Sequence, residues 1–483
     1  MSIEGSRTSR FPRLSTLDRM FLHQETADWP GHFGGLAVVE GEALLDGSGR
    51  LRLQEIRSRM DRRVSLVPQL RRRLLFPGPL GGGPLWVEDH RSDIRRHVHE
   101  TSVEPPGDDV QLLDAAARLY GRLLDRRHPL WELWLLTGLS DGRVGVLFKL
   151  HHSVADGLAA VAMMGSLFDL RPDATDPAAE RWAPQPDPGA WSLIADNLSA
   201  KTRTALRAAA TLAHPARLAR SGSDGLRVAR EAVGHDRAPQ TSLNRVVRAG
   251  RRIRFLRLDL EALKEVGQGH GAKVNDTVLG LWAGGLRELM LRRGEPTSGI
   301  ELITNLPVSL RSASEARTID NEVGFMTLPL PVWEPDVHRR LDLIVGTTRR
   351  AKSEQRPAGV AGFLAAASAL PGARYLTAHQ RSVNVKATNV MGPPMPVYLL
   401  GARILDILPI TRLFGNVGST LCAFSYAGQM FLVVTADAAA FPDLDVLMAG
   451  MQRDWHTLIG IPGAEPITSG VPAARIAAPE RRA

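Results

Sequence analysis

Hydrophobic and polar positions change period several times along the chain, and the clearest change falls between Val144 and Leu170, VGVLFKLHHSVADGLAAVAMMGSLFDL. Val144, Val146, Phe148 and Leu150 alternate with Gly145, Leu147 and Lys149, which predicts a mostly buried strand entered through the Asp141-Gly142 turn. From Leu158 onward Val161, Met164, Leu167 and Leu170 recur at helical spacing among alanines, so a helix follows. Two histidines, an aspartate and a glycine stand at the join.

The same patterns predict strands over His32 to Val39 and Ile253 to Leu260, and a strand after Pro129 that returns as a hairpin into the histidine strand. A second hairpin runs from Ser419–Phe424 to Met430–Thr435. Amphipathic helices are expected over Leu53 to Arg63, Leu279 to Leu291 and Leu444 to Leu458, with Asn275 or Asp276 capping the second. Gly359 to Leu370, dominated by small side chains, reads as the wall of an acyl channel or as a close-packed helix. Between Arg171 and Ala238 a proline- and aspartate-rich stretch gives way to a helical pattern. There Trp191, Ile194 and Leu198 share a face and Lys201, Arg203, Arg207, Arg217 and Arg220 carry charge, as in a packed linker or a helix lying on an anionic membrane. Arg71-Arg72-Arg73 reads as a solvated face in preference to a phosphate contact. These shifts divide the chain into 1–173, a connection 174–238, a second half 239–464 and a disordered tail 465–483.

Composition narrows the class. A chain of 483 residues allows two or three domains at about 150 residues each. Its 44% hydrophobic and 23% charged fractions are those of a soluble globular protein. The one cysteine, Cys422, excludes an internal disulfide framework and sits in an apolar strand, where an inert thiol is expected. Sixty basic against 51 acidic residues leave a net charge of +9, which suits anionic lipid or the phosphates of coenzyme A; no recognition motif supports nucleic acid. The N-terminus lacks the apolar core of a signal peptide, and no run of ~20 apolar residues is present, so a soluble or peripheral protein is expected.

Adjacent strand residues point to opposite sides, so only one of His151 and His152 faces a given cleft. A neutral imidazole there is a general base if a hydrogen bond fixes its tautomer. Asp156 orients the histidine, pairs with an arginine or caps the helix, while Gly157 allows a tight turn and close approach of a substrate. A metal site is disfavoured, because the histidines diverge and no third ligand is near in sequence.

Taken whole, HHSVADG fits HHxxxDG and resembles the signature of the chloramphenicol acetyltransferase and condensation-domain superfamily. LSTLDRMFL, PLWELWLL, GAKVNDTVLG, LPVSLR and TNVMGPP are similar, in that order, to the blocks of bacterial wax ester synthase/diacylglycerol acyltransferases. His128 stands where that family usually has arginine. The resemblance implies an α/β fold of two chloramphenicol-acetyltransferase-like domains, each a mixed sheet with flanking helices, meeting at a central tunnel. It implies acyl-CoA-dependent acylation of diacylglycerol, with wax ester synthesis as a secondary activity. His152 would be the base and Asn275 the donor to the reacting carbonyl, with the Thr388-Asn389 loop as second choice. Asp156 would pair with Arg311, and His151, Gly157, Thr388 and Asn389 would contact substrate. No cofactor is implied beyond the acyl-CoA substrate, and the expected location is cytoplasmic, at a membrane or lipid-droplet surface. The alternatives are a condensation-type enzyme using carrier-bound acyl groups and a non-catalytic lipid-binding protein of the same fold.

Overall fold

The computed structural model of the chain describes residues 11–155, 157–176, 183–212, 238–309, 323–353 and 372–461. The first half runs through α1 (Thr16–Gln24), β1 (His32–Val39), α2 (Leu53–Val64), β2 (Arg72–Leu75), the single turn α3 (Gly78–Gly81), β3 (Leu85–Glu88) and β4 (Val98–Ser102). It continues with α4 (Asp109–Tyr120), β5 (Trp131–Thr137), β6 (Val144–His151), α5 (Gly157–Gly165) and α6 (Ala190–Leu212). The second half begins with β7 (Arg251–Asp259), α7 (Leu260–Gly269), α8 (Val274–Arg292), β8 (Leu302–Ser309), β9 (Val323–Leu330) and α9 (Val337–Ser353). It ends with α10 (Ala373–Ala378), β10 (Val385–Met391), β11 (Tyr398–Leu399), β12 (Ala402–Ile410), β13 (Ser419–Tyr426), β14 (Gln429–Asp437) and α11 (Leu444–Leu458).

Two mixed sheets of six strands carry the fold, in the orders β11-β12-β1-β6-β5-β4 and β7-β14-β13-β10-β8-β9. β6 lies inside the first and is buried at every position, which is why its sequence is apolar on both faces. Its one charge, Lys149, is fully buried and compensated: Nζ donates to the Arg122 carbonyl at 2.7 Å and pairs with Glu132 at 3.1 Å. The neighbouring β5 adds Trp131, whose Nε1 donates to the Leu70 carbonyl at 2.8 Å. The PLWE block therefore braces the histidine strand from the side. In the second half α8 is buried on nearly all sides among α7, α9 and α11, matching its apolar circumference. α4 packs against both β6 and β7 and so bridges the two sheets.

Several expectations need correction. The helix after the histidines ends at Gly165, and Asp169 instead forms a bridge with Tyr398. α8 starts at Val274, so Asn275 and Asp276 lie inside its first turn; Asp276 reaches back to accept the Lys273 N–H at 2.9 Å. The arginine run is not a solvated face: Arg71 is buried, and Arg73 pairs with Asp89 and Asp187. The halves are also not contiguous in sequence. β11 and β12 leave 239–464 to join the first sheet, where β12 pairs antiparallel with β1 from Gly34↔Ile410 to Val39↔Ile404. Without β12, β1 would be an edge with a row of unpaired backbone groups, and β12 supplies a matching inward face of Ala402, Ile404, Leu408 and Ile410. Asp156, Arg311, Arg217, Arg220, the Gly359 to Leu370 segment and the tail 465–483 lie outside the described residues.

The strand exchange makes a prediction. Leu408, opposite Leu36 and 1% exposed, should cost about 2–5 kcal/mol when changed to Ala. Hydrogen exchange should accelerate in His32–Val39 as well as in β12; acceleration confined to the second half would contradict the pairing.

Candidate active site

The two histidines part at the end of β6. His151 is its last residue and pairs in register with His32 of β1, whereas His152 lies in the turn that follows. The His152 backbone N–H donates to the Gly31 carbonyl at 3.0 Å. Its partly buried ring is clamped by two aromatic rings, stacked on Phe21 at 4.7 Å and tilted against Phe33 at 4.6 Å. Burial, then the charges of Arg412, His151, His32 and Lys386, push the imidazole well below its ordinary pKa. The ring is therefore neutral and can accept a proton. Among the described residues no carboxylate is bonded to it, so its orientation comes from ring packing and the main-chain bond.

His151 serves the scaffold. It is fully buried, and its Nδ1 accepts the Ser153 N–H at 3.1 Å and meets Ser153 Oγ at 2.7 Å. That leaves the proton on Nε2, 3.5 Å from Glu25 Oε1. Glu25 in turn accepts the Gly31 N–H at 2.9 Å and Arg126 Nη2 and Nε at 2.6 and 2.9 Å. Burial alone would raise the Glu25 carboxyl, but His151, the Gly31 N–H and Arg126 outweigh it and bring the pKa to about 2. Gly31 is required here, because a Cβ would meet His151 Nε2 at 2.2 Å. His32 is locked as well: Nε2 donates to the Tyr120 carbonyl at 2.6 Å, and the Tyr120 hydroxyl donates to the His32 carbonyl at 2.9 Å.

The second half completes the surroundings. Arg412, just beyond β12, donates from Nε to the Pro30 carbonyl at 3.0 Å and lies over Phe21 and Phe414, at 5.4 and 4.8 Å from the ring centres. Lys386 of β10 places Nζ 3.6 Å from the centre of the Phe414 ring. Trp29 Nε1 donates to the Val247 carbonyl at 3.1 Å, and Arg251 Nη2 to the Asp28 carbonyl at 2.6 Å. The segment from Glu25 to Gly31 is thus held from both halves.

The expected site residues divide. Gly157 opens α5 directly after the histidine turn. Thr388 and Asn389 lie within β10, paired with Cys422 and Ala423, and do not form a loop. Alternation puts Thr388 on the strand face of Lys386, while Asn389 takes the other face and is exposed. His151 has no exposed surface for a substrate, which corrects the expectation of a substrate contact. Asn275 sits at the start of α8, next to a depression lined by Lys273, Asp276, Arg349 and Lys352, and none of the described contacts joins it to His152. Cys422 is buried as expected, and burial pushes its thiol up to about 12. Phe21, Glu25, Gly31, Arg126, Lys386 and Arg412 were not anticipated. A lone cation in an apolar run, as in VNVKATNV and LPITRLF, was the available signal for the last two.

Two mixed-sheet lobes, the second lending β11 and β12 to the first, flank a clamped, neutral imidazole. The wax ester synthase/diacylglycerol acyltransferase catalytic domain matches residues 14–278 and the WS/DGAT C-terminal domain residues 319–458, and the chain belongs to this acyltransferase family. A relative in Mycobacterium tuberculosis, named "Probable diacyglycerol O-acyltransferase tgs1", is 30% identical over 94% of this chain and 97% of its own length. A second, tgs2 of the same organism, is 28% identical over 92% of this chain and 98% of its own length. Among solved structures, the wax ester synthase/diacylglycerol acyltransferase of Marinobacter aquaeolei VT8 shares the fold at a TM-score of 0.67 and 23% identity, covering 93% of this chain and 100% of that one. The starter condensation domain of rhizomide synthetase, in complex with C8-CoA, shares it at a TM-score of 0.56 and 13% identity, over 95% and 96% of the two chains.

Neutral buried histidines have a consequence for stability. His32, His97, His151 and His152 are all shifted downward, chiefly by burial, so at these four groups the unfolded chain binds more protons than the folded one once pH falls below about 6.5. They outnumber Asp454, which burial raises to about 6, and Asp406, also raised, both of which act in the opposite sense. Unfolding midpoints in urea should therefore decline from pH 7 to pH 5, with a further loss below about 4.5 as Glu25 and its lowered carboxylate group come into play. Midpoints that stay level or rise over the upper interval would contradict the neutral assignment.

Proposed function

We propose that this enzyme transfers the acyl group of a long-chain acyl-CoA to the free hydroxyl of diacylglycerol, forming triacylglycerol, with wax ester synthesis from long-chain alcohols as a secondary activity. The observation that carries the reading is the His152 ring, neutral and clamped between Phe21 and Phe33 at the start of the turn into α5. His152 takes the hydroxyl proton as oxygen attacks the thioester carbonyl, and returns it to the departing coenzyme A thiolate. A thioester is already activated, so no covalent enzyme intermediate and no cofactor beyond the acyl-CoA is needed. Thr388, on the face of Lys386, and Asn275, at the N-terminal end of α8, are the candidate neutral donors to the oxyanion. Gly157, the first residue of α5, supports the turn. The acceptor assignment is supported by the relatives named as diacylglycerol O-acyltransferases.

Changing His152 to Ala should lower turnover of labelled palmitoyl-CoA by about 10²–10⁴-fold with the fold retained. With dioleoylglycerol and hexadecanol in competition, label should enter triacylglycerol in excess. A wild-type preference for hexadecanol at matched interfacial concentration would reverse the order of the two activities.

The acceptor is lipid-dissolved, and among the described residues no helix is long and apolar enough to cross a membrane. α6 offers a way to reach it. Leu193 packs against Leu85 and Val87, Asp196 pairs with Arg13, and Trp191, Leu198 and Leu206 remain 83%, 65% and 65% exposed beside Lys201. Apolar side chains flanked by positive charge suit insertion at an anionic lipid surface. In flotation assays the enzyme should bind anionic vesicles more than neutral ones and lose binding with salt, and the double change Trp191→Ala, Leu198→Ala should weaken it. Equal, salt-insensitive binding to both vesicle types would remove the electrostatic part of this reading.

A further inference from the structure

Two cations in the site have no carboxylate bonded to them among the described residues; the charge of Glu25 reaches Arg412, but that carboxylate is taken up by Arg126 and the Gly31 N–H. Arg412 is 7% exposed, its Nη2 is buried without a hydrogen-bond partner, and no carboxylate among the described residues pairs with it. The Lys386 ammonium makes no hydrogen bond or ion pair among the described residues and rests on the Phe414 ring that Arg412 also covers. Lys149 and Arg340, also buried, are each paired with a carboxylate, Glu132 and Asp454, and the buried Arg251 donates to the carbonyls of Arg248, Gly250 and Asp28. A buried guanidinium left unpaired is strongly disfavoured, and a second cation against the same ring adds repulsion. The consequence is visible on both groups: burial brings Lys386 down to about 7, assisted by Arg412, and brings Arg412 down to about 10. A continuous series of ring contacts, His152 on Phe21, Arg412 over Phe21 and Phe414, and Lys386 on Phe414, connects this charge to the base.

The geometry points to Arg412, assisted by Lys386, as the electrostatic stabiliser of the tetrahedral oxyanion, a role that rests on His152 acting as the base. As the hydroxyl oxygen bonds to the thioester carbon and its proton passes to His152, the carbonyl π pair moves onto oxygen. That negative oxygen is the missing countercharge. Collapse restores the C=O bond, breaks the C–S bond, and the coenzyme A thiolate takes the proton from His152. The thioester itself is neutral, so the cations favour the transition state over the bound substrate. The same charges keep His152 unprotonated before attack, together with His151 and His32.

Steady-state kinetics with palmitoyl-CoA and dioleoylglycerol separate this from a structural role. Arg412→Gln should lower kcat by about 10²-fold while KM for palmitoyl-CoA stays within about threefold, since the lost interaction belongs to the transition state. Arg412→Lys should retain roughly tenfold more activity than Arg412→Gln, and millimolar guanidinium should restore part of the rate to Arg412→Ala. Lys386→Met, which breaks no hydrogen bond, should lower kcat by about tenfold and decides the matter if the Arg412 variants do not fold. A folded Arg412→Gln variant with unchanged kcat, a loss carried by KM alone, or an unaffected Lys386→Met variant overturns the proposal. With His152→Ala inactive, such results overturn the cation role alone; an active His152→Ala variant overturns the base reading beneath it.

Discussion

Glu25 is the one carboxylate on which the geometry of the site converges. Its side chain is 3% exposed, yet it stays ionised because Arg126, the Gly31 N–H and the edge of His151 surround it. Removing a carboxylate from water is tolerable only when such a set is complete, so the positions of all its members are coupled. The end of α1, the turn before β5, the entry to β1 and the end of β6 are thereby fixed against one another. His152 inherits this rigidity, since its backbone N–H is bound to the carbonyl of Gly31. The His152 backbone is thus held by way of its neighbours' ion pair, and no carboxylate among the described residues is bonded to its ring.

A lowered pKa has two opposite effects on a general base. It makes the imidazole a weaker proton acceptor, and it ensures that the acceptor form is present at neutral pH. For an amide or an unactivated ester the first effect would be costly. A thioester shifts the balance, because attack on it demands less from the base and more from placement of the two substrates. The apolar clamp of Phe21 and Phe33 suits that demand: it excludes water from one side of the ring and fixes its plane.

Periodicity made the elements legible. Strand β1, the helix Leu444–Leu458 and the β13–β14 hairpin follow directly from alternation or helical spacing, and the hairpin's Ala427-Gly428 turn has both residues at positive φ as a tight turn requires. The motif HHSVADG located the strand end and turn at which the two histidines part. Its supports were not legible, because each is a lone residue whose partner is distant in sequence: Glu25 meets Arg126, and Arg412 meets Pro30. Gly31 looks like any turn glycine until the His151 ring is seen against its α-carbon. The sharing of strands between sheets escaped for the same reason. The alternation of Ala402 to Ile410 specifies a strand with one buried face but not the sheet that buries it.

That sharing has a consequence for catalysis. The groups around His152 come from residues 21–33, the end of β6, β10 and the turn after β12. β10 belongs to the second sheet and β12 to the first, and only residues 392–397 separate the end of β10 at Met391 from Tyr398, where the crossing begins with β11. A rigid-body separation of the sheets would pull Trp29 from the Val247 carbonyl and Arg251 from the Asp28 carbonyl, and would have to stretch the short 392–397 connection between β10 and β11. The two sheets are therefore tied together beside His152 by side-chain bonds and by one short stretch of chain. His152, Arg412 and Lys386 are thereby carried by segments whose spacing is fixed from both sheets.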